Sequence, residues 1–155
     1  MRLFGTDGIR GEVGKYPLTA ENVLKLAKAS SLVLSKKNSI SRVVINKDTR
    51  LSGYMFEPAL TSGFISMGID VILVGPLPTP ALTVLGKSLR ADFSVMITAS
   101  HNPYQDNGLK FFSGQGLKIS AEEENKIEDF FFNYDFDNFQ IKQSKYGKAI
   151  RLRNA

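Results

Sequence analysis

Short apolar runs that alternate with longer helical patterns constrain the fold of this chain more than any other feature. We predict strands over 42–46, 70–74, 92–98 and 109–112, and helices over about 20–35, 52–67, 80–89 and 120–134. Such alternation indicates parallel strands, because a helix carries the chain back to the start of the next strand. The sequence therefore predicts a three-layer α/β domain, with a mixed, mostly parallel sheet of about four strands and helices on both faces.

The predicted helix ends carry local signals. Thr19 is expected to cap the first helix and Thr79 the third. The segment 120–123, Ser-Ala-Glu-Glu, matches a capping box at the start of the fourth helix. Gly68 is expected to end the second helix. Pro58 is tolerated only near a first helical turn, which favours a start later than residue 52 for that helix.

All of the net charge of +5 comes from the last fourteen or so residues. Residues 1–141 hold equal numbers of acidic and basic side chains, and the excess is Lys142, Lys145, Lys148, Arg151 and Arg153. A basic tail without an aromatic platform indicates a solvated connector rather than a nucleic-acid-binding segment. We therefore predict a folded domain over 1–141, a basic connector over 142–155, and no nucleic-acid partner.

Cysteine usage and hydropathy exclude several classes of protein. The chain has no cysteine, so it has neither disulfides nor thiolate metal sites. No apolar run is long enough to span a bilayer, and the first residues lack the apolar core of a secretory signal. A cytoplasmic protein without a membrane partner is the expectation.

A candidate nucleophile lies in the segment 98–103, Thr-Ala-Ser-His-Asn-Pro, at the end of an apolar strand. Ser100 needs activation by a base or a positive environment, and His101, the only histidine, is next to it. Lys110 begins the following strand, and its ammonium group could neutralise a phosphoryl group or exchange a proton. From these residues alone, a catalytic Ser100 and a capping serine beside a solvent-facing histidine both stay open.

Two other loops carry groups suited to an anion. The segment 4–11 has three glycines and Arg10, which would let backbone N–H groups and a guanidinium approach a phosphate. A purely structural loop is an equally good interpretation, and the segment is not a Walker A loop. Asp48 and Arg50 follow another strand end and are expected to support the site through an internal salt bridge. Ligands gather at the carboxyl ends of strands in such sheets.

Four ordered segments together resemble the α-D-phosphohexomutase family. They are Phe-Gly-Thr-Asp-Gly-Ile-Arg-Gly at 4–11, Lys-Asp-Thr-Arg-Leu-Ser-Gly at 47–53, Gly-Pro-Leu-Pro-Thr-Pro at 75–80, and the segment 98–112. One departure is Asn46, where the family usually has glycine, and a slight change of loop geometry is expected there.

The resemblance implies that Ser100 carries a phosphoryl group. It would give this group to glucosamine 6-phosphate, forming glucosamine 1,6-bisphosphate, and then recover the other phosphoryl group to leave glucosamine 1-phosphate. His101 and Lys110 would be the other catalytic residues. The implied phosphate-binding residues are Arg10, Thr6 and Asn102. A phosphoryl oxygen on Ser100 would also be one ligand of Mg²⁺. The alternatives are another hexose phosphate as substrate, or a non-catalytic anion-binding module.

The resemblance covers only the first of four family domains. It implies that the other Mg²⁺ ligands, the sugar-recognition loop and a phosphate-binding loop belong to the second, third and fourth domains. The expected partners are therefore a hexosamine phosphate and the remaining domains of the same enzyme, and the isolated chain is expected to be inactive.

Overall fold

Six strands and four helices form between residues 2 and 153, the part of the chain that this computed structural model describes. The strands are β1 (Ile9–Glu12), β2 (Arg42–Lys47), β3 (Asp70–Leu73), β4 (Phe93–Ile97), β5 (Asp106–Ser113) and β6 (Ala149–Arg151). The helices are α1 (Ala20–Leu34), α2 (Gly53–Ser66), α3 (Thr79–Ser88) and α4 (Ala121–Asn133). Every predicted strand and helix is present.

The strands form one mixed sheet in the order β1-β5-β4-β2-β3-β6. β2 pairs in parallel with β3 and β4, and β6 extends the parallel part beyond β3. β5 pairs antiparallel with both β4 and β1. The predicted mixed, mostly parallel sheet is confirmed, but the predicted strand number of about four is too low, because the short edge strands β1 and β6 are added.

Each face of the sheet has its own core. Val43 and Ile45 of β2 join the larger core, together with buried side chains of α1, α2 and α4. Val44 of β2 and Met96 of β4 join a smaller core with Leu82 of α3. Because strand side chains alternate with a period of two, the two cores lie on opposite faces. This confirms three layers with helices on both faces.

Two of the predicted helix starts carry the expected caps. Thr19 Oγ1 accepts a hydrogen bond from the Asn22 N–H at 3.2 Å before α1. Ser120 and Glu123 form the predicted capping box before α4. Gly68 follows α2 with a φ of +83°, as its predicted stop requires. Within residues 2–153, none of the helices combines the length and the apolar character of a membrane span.

Two expectations about the helix starts are wrong: Pro58 does not lie near the first turn of α2, and Thr79 does not cap α3. α2 begins at Gly53 and holds Pro58 in its second turn. The missing N–H leaves the carbonyl of Tyr54 without its helical partner, and this is tolerated because Tyr54 is exposed to water. Pro78, not Thr79, is the residue before α3, because the Pro78 carbonyl accepts the first helical hydrogen bonds.

Asn46 is fully buried in β2, where it joins the strand to the loop 75–78. Its side-chain amide donates to the Leu77 carbonyl at 2.7 Å, and its Oδ1 accepts from the Leu77 N–H at 3.0 Å. A glycine could make neither bond. The expected slight difference in loop geometry from the rest of the family stays a prediction.

Residues 149–152 of the basic tail are hydrogen-bonded to the sheet. Leu152 donates its N–H to the Leu73 carbonyl at 2.9 Å, next to the β3–β6 pairing. Arg151 forms an ion pair with Glu57 of α2. Residues 149–151 thus form an exposed edge strand beside β3, and the expected connector over 142–155 stays a prediction. The predicted domain boundary at residue 141 stays a prediction.

Candidate functional site

The loops after β2 and β4 lie side by side at one edge of the sheet. Asp48 and Arg50 follow β2, whereas Ser100 and His101 follow β4. The two strands are parallel neighbours, so their carboxyl ends meet at the same edge. The Asp48 N–H also donates to the Ile97 carbonyl at 3.1 Å, which joins the two loops directly.

Ser100 presents its hydroxyl between two cationic side chains. Its Oγ lies 3.1 Å from Nη2 of Arg10 and 3.4 Å from Nζ of Lys110. The residue is exposed and has a φ of +50°, in the left-handed region that few residues other than glycine adopt. Such conformations cost free energy and persist only where the surroundings impose them.

Arg50 imposes the shape of the Ser100 loop. Its side chain is 13% exposed, and its guanidinium donates hydrogen bonds of 2.7–3.0 Å to four backbone carbonyls. These carbonyls belong to Ser100, Asn102, Pro103 and Asp106. Because one planar, always-charged group bonds all four, the loop after β4 is closed around a single side chain.

Asp48 connects this arginine to the backbone of Ser100. Its Oδ2 accepts from Nε of Arg50 at 3.3 Å and from the Thr98 hydroxyl at 2.8 Å. Thr98 Oγ1 in turn accepts from the Ser100 N–H at 3.0 Å. The structure thus brings Asp48 and Arg50 together beneath Ser100 as a hydrogen-bonded support. Thr98, which was not among the predicted site residues, is part of this support.

Arg10 reaches the site from β1. Its Nη1 lies 3.5 Å from Oδ1 of Asn102 and 3.7 Å from Oδ2 of Asp7. Asn102 is held in turn by Asp106, whose Oδ2 accepts from its Nδ2 at 3.1 Å. The Nε of Arg10 is buried and has no hydrogen-bond partner among the described residues. A buried unpaired N–H is costly, and an anion on Ser100 is the kind of group that would satisfy it.

Two glycines allow the strands that carry Arg10 and Lys110 to approach each other. A Cβ on Gly108 would meet the Ile9 carbonyl oxygen at 2.4 Å, and a Cβ on Gly8 would meet the Leu109 carbonyl oxygen at 2.3 Å. Gly108 also faces Thr98, so it permits β1, β5 and the end of β4 to converge on Ser100. The sequence signal for this role was the glycine after Asp-Asn, which is equally typical of a turn.

Thr6 and His101 are not part of the hydrogen-bonded cluster. The carbonyl of Thr6 accepts from Nζ of Lys118 at 2.8 Å, and Thr6 lines a cavity of about 230 Å³ that Lys110 also lines. His101 is exposed, and within residues 2–153 its ring makes no hydrogen bond or ion pair. The described geometry thus leaves Ser100 flanked by Arg10 and Lys110 rather than by the histidine.

The described residues do not form a metal site by themselves. Among residues 2–153, no group of three or more histidine, aspartate or glutamate side chains converges. Asp48 and Asp7 each face an arginine. A hard cation such as Mg²⁺ needs several oxygen ligands, more than these two carboxylates supply.

Comparisons with known proteins agree on one family. The sequence model described as "Phosphoglucomutase/phosphomannomutase, alpha/beta/alpha domain I" matches residues 1–138. A phosphoglucosamine mutase from Granulibacter bethesdensis is 53% identical over 154 residues, and one from Syntrophus aciditrophicus is 48% identical over the same length. Both alignments cover 99% of this chain and 34% of the relative. The chain therefore spans about a third of the length of these relatives.

Solved structures of similar proteins have the same fold. A putative phosphomannomutase from Thermus thermophilus superposes with a TM-score of 0.78 at 33% identity, over 96% of this chain and 32% of that protein. A phosphoglucomutase/phosphomannomutase family protein from Burkholderia thailandensis gives 0.77 at 28% identity, with the same coverage. The similarity thus extends over nearly all of this chain.

Proposed function

Because the chain belongs to the phosphoglucomutase/phosphomannomutase family, as its domain I, we propose that it is the phosphoserine-carrying domain of a phosphoglucosamine mutase. In this reaction, glucosamine 6-phosphate and glucosamine 1-phosphate interconvert through glucosamine 1,6-bisphosphate. The assembled enzyme is an isomerase, and this domain supplies the phosphoryl carrier. The isolated chain is expected to be inactive, because the sugar must be held by other parts of the enzyme.

The observation that carries this proposal is the position of Ser100 Oγ between Arg10 and Lys110. A phosphoseryl group bears a charge of about −1.5 to −2 at neutral pH. Phosphoryl transfer depends mainly on positioning and on neutralising the charge of the equatorial oxygens. Two cationic groups within hydrogen-bond reach of Oγ, together with the unpaired Nε of Arg10, supply donors for that purpose.

The proposed reaction has two transfers. First, the bond between phosphorus and Ser100 Oγ breaks while the 1-hydroxyl oxygen of glucosamine 6-phosphate bonds to phosphorus, and the hydroxyl proton passes to Oγ. The bisphosphate then reorients. Second, Ser100 Oγ bonds to the 6-phosphoryl phosphorus, and its proton passes to the sugar O6, which leaves glucosamine 1-phosphate. Lys110 lies close enough to Oγ to exchange this proton in both transfers.

The supporting residues have separate proposed roles. Arg50 and Asp48 hold the Ser100 loop in one shape before and after transfer, so little reorganisation accompanies the reaction. Asn102 orients Arg10 through its Oδ1. Thr6, in the segment 4–11, and His101, beside Ser100, would contact the sugar phosphate as it reorients.

Glucosamine is the proposed sugar because the relatives named phosphoglucosamine mutase are 47–53% identical to this chain. The solved phosphomannomutase is 33% identical, so a mannose or glucose phosphate is the second candidate. Mg²⁺ is the proposed cofactor, bound through a phosphoryl oxygen on Ser100. Its other ligands would come from the portion of the relatives that this chain does not cover.

A domain replacement tests the proposal. Residues 1–138 of this chain would replace the corresponding segment of the Granulibacter bethesdensis relative, and conversion of glucosamine 6-phosphate would be measured with Mg²⁺. We expect turnover, and mass spectrometry should locate a single phosphoryl group on Ser100. Ser100→Ala should lower turnover at least about a thousandfold, as loss of a nucleophile does.

The matched control is Ser113→Ala. Ser113 Oγ accepts a hydrogen bond from the Gln115 N–H in a turn at the other end of β5, so its loss should leave turnover unchanged. Equal activity with and without the Ser100 hydroxyl would contradict the proposal. A folded but inactive replacement enzyme would favour the non-catalytic anion-binding alternative.

A further inference from the structure

We propose that Lys118 and Glu128 position Arg10 for phosphoryl transfer by holding the amino-terminal loop, residues 3–8, against helix α4. The inference rests on the proposed function, since it concerns the charge that Arg10 brings to Ser100. Lys118 and Glu128 would act as positioning residues, because neither is among the groups hydrogen-bonded to Ser100.

Glu128 holds the start of the loop. Its carboxylate side chain is buried on α4, and its Oε2 accepts hydrogen bonds from the backbone N–H groups of Leu3 and Phe4, the latter at 3.0 Å. Leu3 and Phe4 are themselves buried and lie outside any strand. Their N–H groups would otherwise be unpaired in the interior, which is costly. The carboxylate therefore fixes the backbone at the entrance of the loop.

Lys118 holds the tip of the loop. Its Nζ donates to the carbonyl of Thr6 at 2.8 Å and lies 4.0 Å from Oε2 of Glu124. The side chain of Glu124 is 7% exposed, and its Oε2 has no hydrogen-bond partner among the described residues. The ammonium is thus drawn toward α4 by a buried negative charge while it bonds the loop carbonyl.

The loop transmits its position to Arg10. Gly5 and Gly8 exchange backbone hydrogen bonds of 2.8 and 3.3 Å, which close the turn around Thr6. Ile9 and Arg10 follow immediately and pair with Leu109 and Gly108 of β5. A shift at Thr6 would therefore reach Arg10 through four residues of continuous, hydrogen-bonded backbone.

Packing beneath the loop is incomplete, which gives these polar contacts their importance. The cavity of about 230 Å³ lies beside the loop, where Thr6 and Gly8 line it together with Lys118, Lys110 of β5 and Glu124 of α4. Side chains therefore do not fill the space that would otherwise fix the loop. The hydrogen bonds from Lys118 and Glu128 take the place of that packing, and a misplacement of about 1 Å can cost a hundredfold in rate.

The test measures charge at Ser100 without requiring catalysis. The chain would be produced with phosphoserine encoded at position 100, and the phosphorus NMR shift would be followed against pH. Arg10 and Lys110 should hold the second pKa of the phosphoseryl group below its ordinary value of about 6. Arg10→Met should raise that pKa by about 1 pH unit, and Lys118→Met by about half as much.

Two comparisons separate positioning from general effects. Lys126→Met is the matched control, because Lys126 is 60% exposed and pairs with Glu122 on α4, as Lys118, 52% exposed, pairs with Glu124. Lys126→Met should leave the pKa of the phosphoseryl group unchanged. Lys118→Arg should keep this pKa at its value in the unsubstituted protein. Glu128→Leu should raise this pKa relative to Glu128→Gln, since both are neutral but only glutamine keeps an acceptor for the Leu3 and Phe4 N–H groups.

An unchanged titration in folded Lys118→Met protein would overturn the proposal, and so would equal changes in Lys118→Met and Lys126→Met. Circular dichroism would verify folding of each variant. Failure of the domain replacement leaves this measurement intact, because the phosphoserine is encoded rather than formed by transfer. The two proposals can therefore fail separately.

Discussion

At the scale of single residues, the site depends on groups that hold Ser100 as much as on those that touch it. Ser100 adopts a φ of +50°, and Arg50 is bonded to four carbonyls of its loop. The proximity of Arg10 and Lys110 to Ser100 could be predicted from the motifs that carry them, whereas their roles in phosphoryl transfer stay a prediction. The contact of Lys118 with the Thr6 carbonyl could not be predicted, since the two residues lie 112 positions apart in the chain.

Replacing Arg50 tests how the loop is held. Arg50→Lys keeps the positive charge but loses the planar fork, so it can serve one or two of the four carbonyls. We expect the free energy of unfolding to fall by about 3 kcal/mol, because several charge-assisted hydrogen bonds are lost. In the domain-replacement enzyme, turnover should fall by about a hundredfold as Ser100 shifts. Urea unfolding and the mutase assay measure the two effects.

Arg42→Lys is the control for this prediction. The guanidinium of Arg42 donates to one carbonyl, that of Leu89, at 2.8 Å on the surface, so its replacement should cost less than about 1 kcal/mol. Similar losses of stability in the two variants would mean that the four hydrogen bonds of Arg50 contribute no more to stability than the single bond of Arg42.

At the scale of elements, the sequence identified the strands with apolar runs and missed the two edge strands. β2 and β4 are buried on both faces over the apolar runs Val-Val-Ile at 43–45 and Val-Met-Ile at 95–97, which are easy to detect. β1 has four residues, including Gly11, and β6 has three exposed ones. Such short segments carry no periodic signal, and only the free edges of β5 and β3 make them strands.

Gly108 tests whether the convergence of strands at the site requires a residue without a side chain. Its Cβ would meet the carbonyl oxygens of Ile9 at 2.4 Å and of Thr98 at 2.8 Å. Gly108→Ala should therefore push β1 away from β5 and lower the free energy of unfolding by about 3 kcal/mol, at the upper end of overpacking costs. Thermal or urea unfolding would measure this loss.

Gly11→Ala is the matched variant on the partner strand. Its Cβ would meet only Cδ2 of Leu18, at 3.9 Å, which is ordinary contact, so stability should stay within about 0.5 kcal/mol. If Gly108→Ala were tolerated equally well, the close approach of β1 to β5 would not depend on this glycine.

At the scale of the whole molecule, the basic tail contributes a strand that the sequence interpretation did not include. Its charge pattern is typical of a solvated connector, yet β6 pairs with β3 and extends the sheet. Arg151 also faces Glu57, which is buried on α2. The sequence could not reveal this, because the burial of a single glutamate in a helix depends on what covers it. The tail therefore contributes to the fold of the domain.

Breaking the ion pair tests this contribution. Glu57 is 8% exposed, its Oε2 has no hydrogen-bond partner among the described residues, and Arg151 is the cation beside its Oε1. Removing one partner of a buried pair leaves an uncompensated charge, although Arg151 is 43% exposed and water will replace part of the loss. Arg151→Met should lower the free energy of unfolding by about 1–2 kcal/mol.

Lys148→Met is the matched control, because it removes the same charge from the same tail. The described contact of Lys148 with Asp70 is made by its backbone N–H, so Lys148→Met should change the free energy of unfolding by less than about 0.5 kcal/mol. Adding Glu57→Gln to Arg151→Met should recover part of the loss in urea unfolding, because the unpaired charge is gone. Equal losses for Arg151→Met and Lys148→Met would show that the tail acts through its net charge and not through this pair.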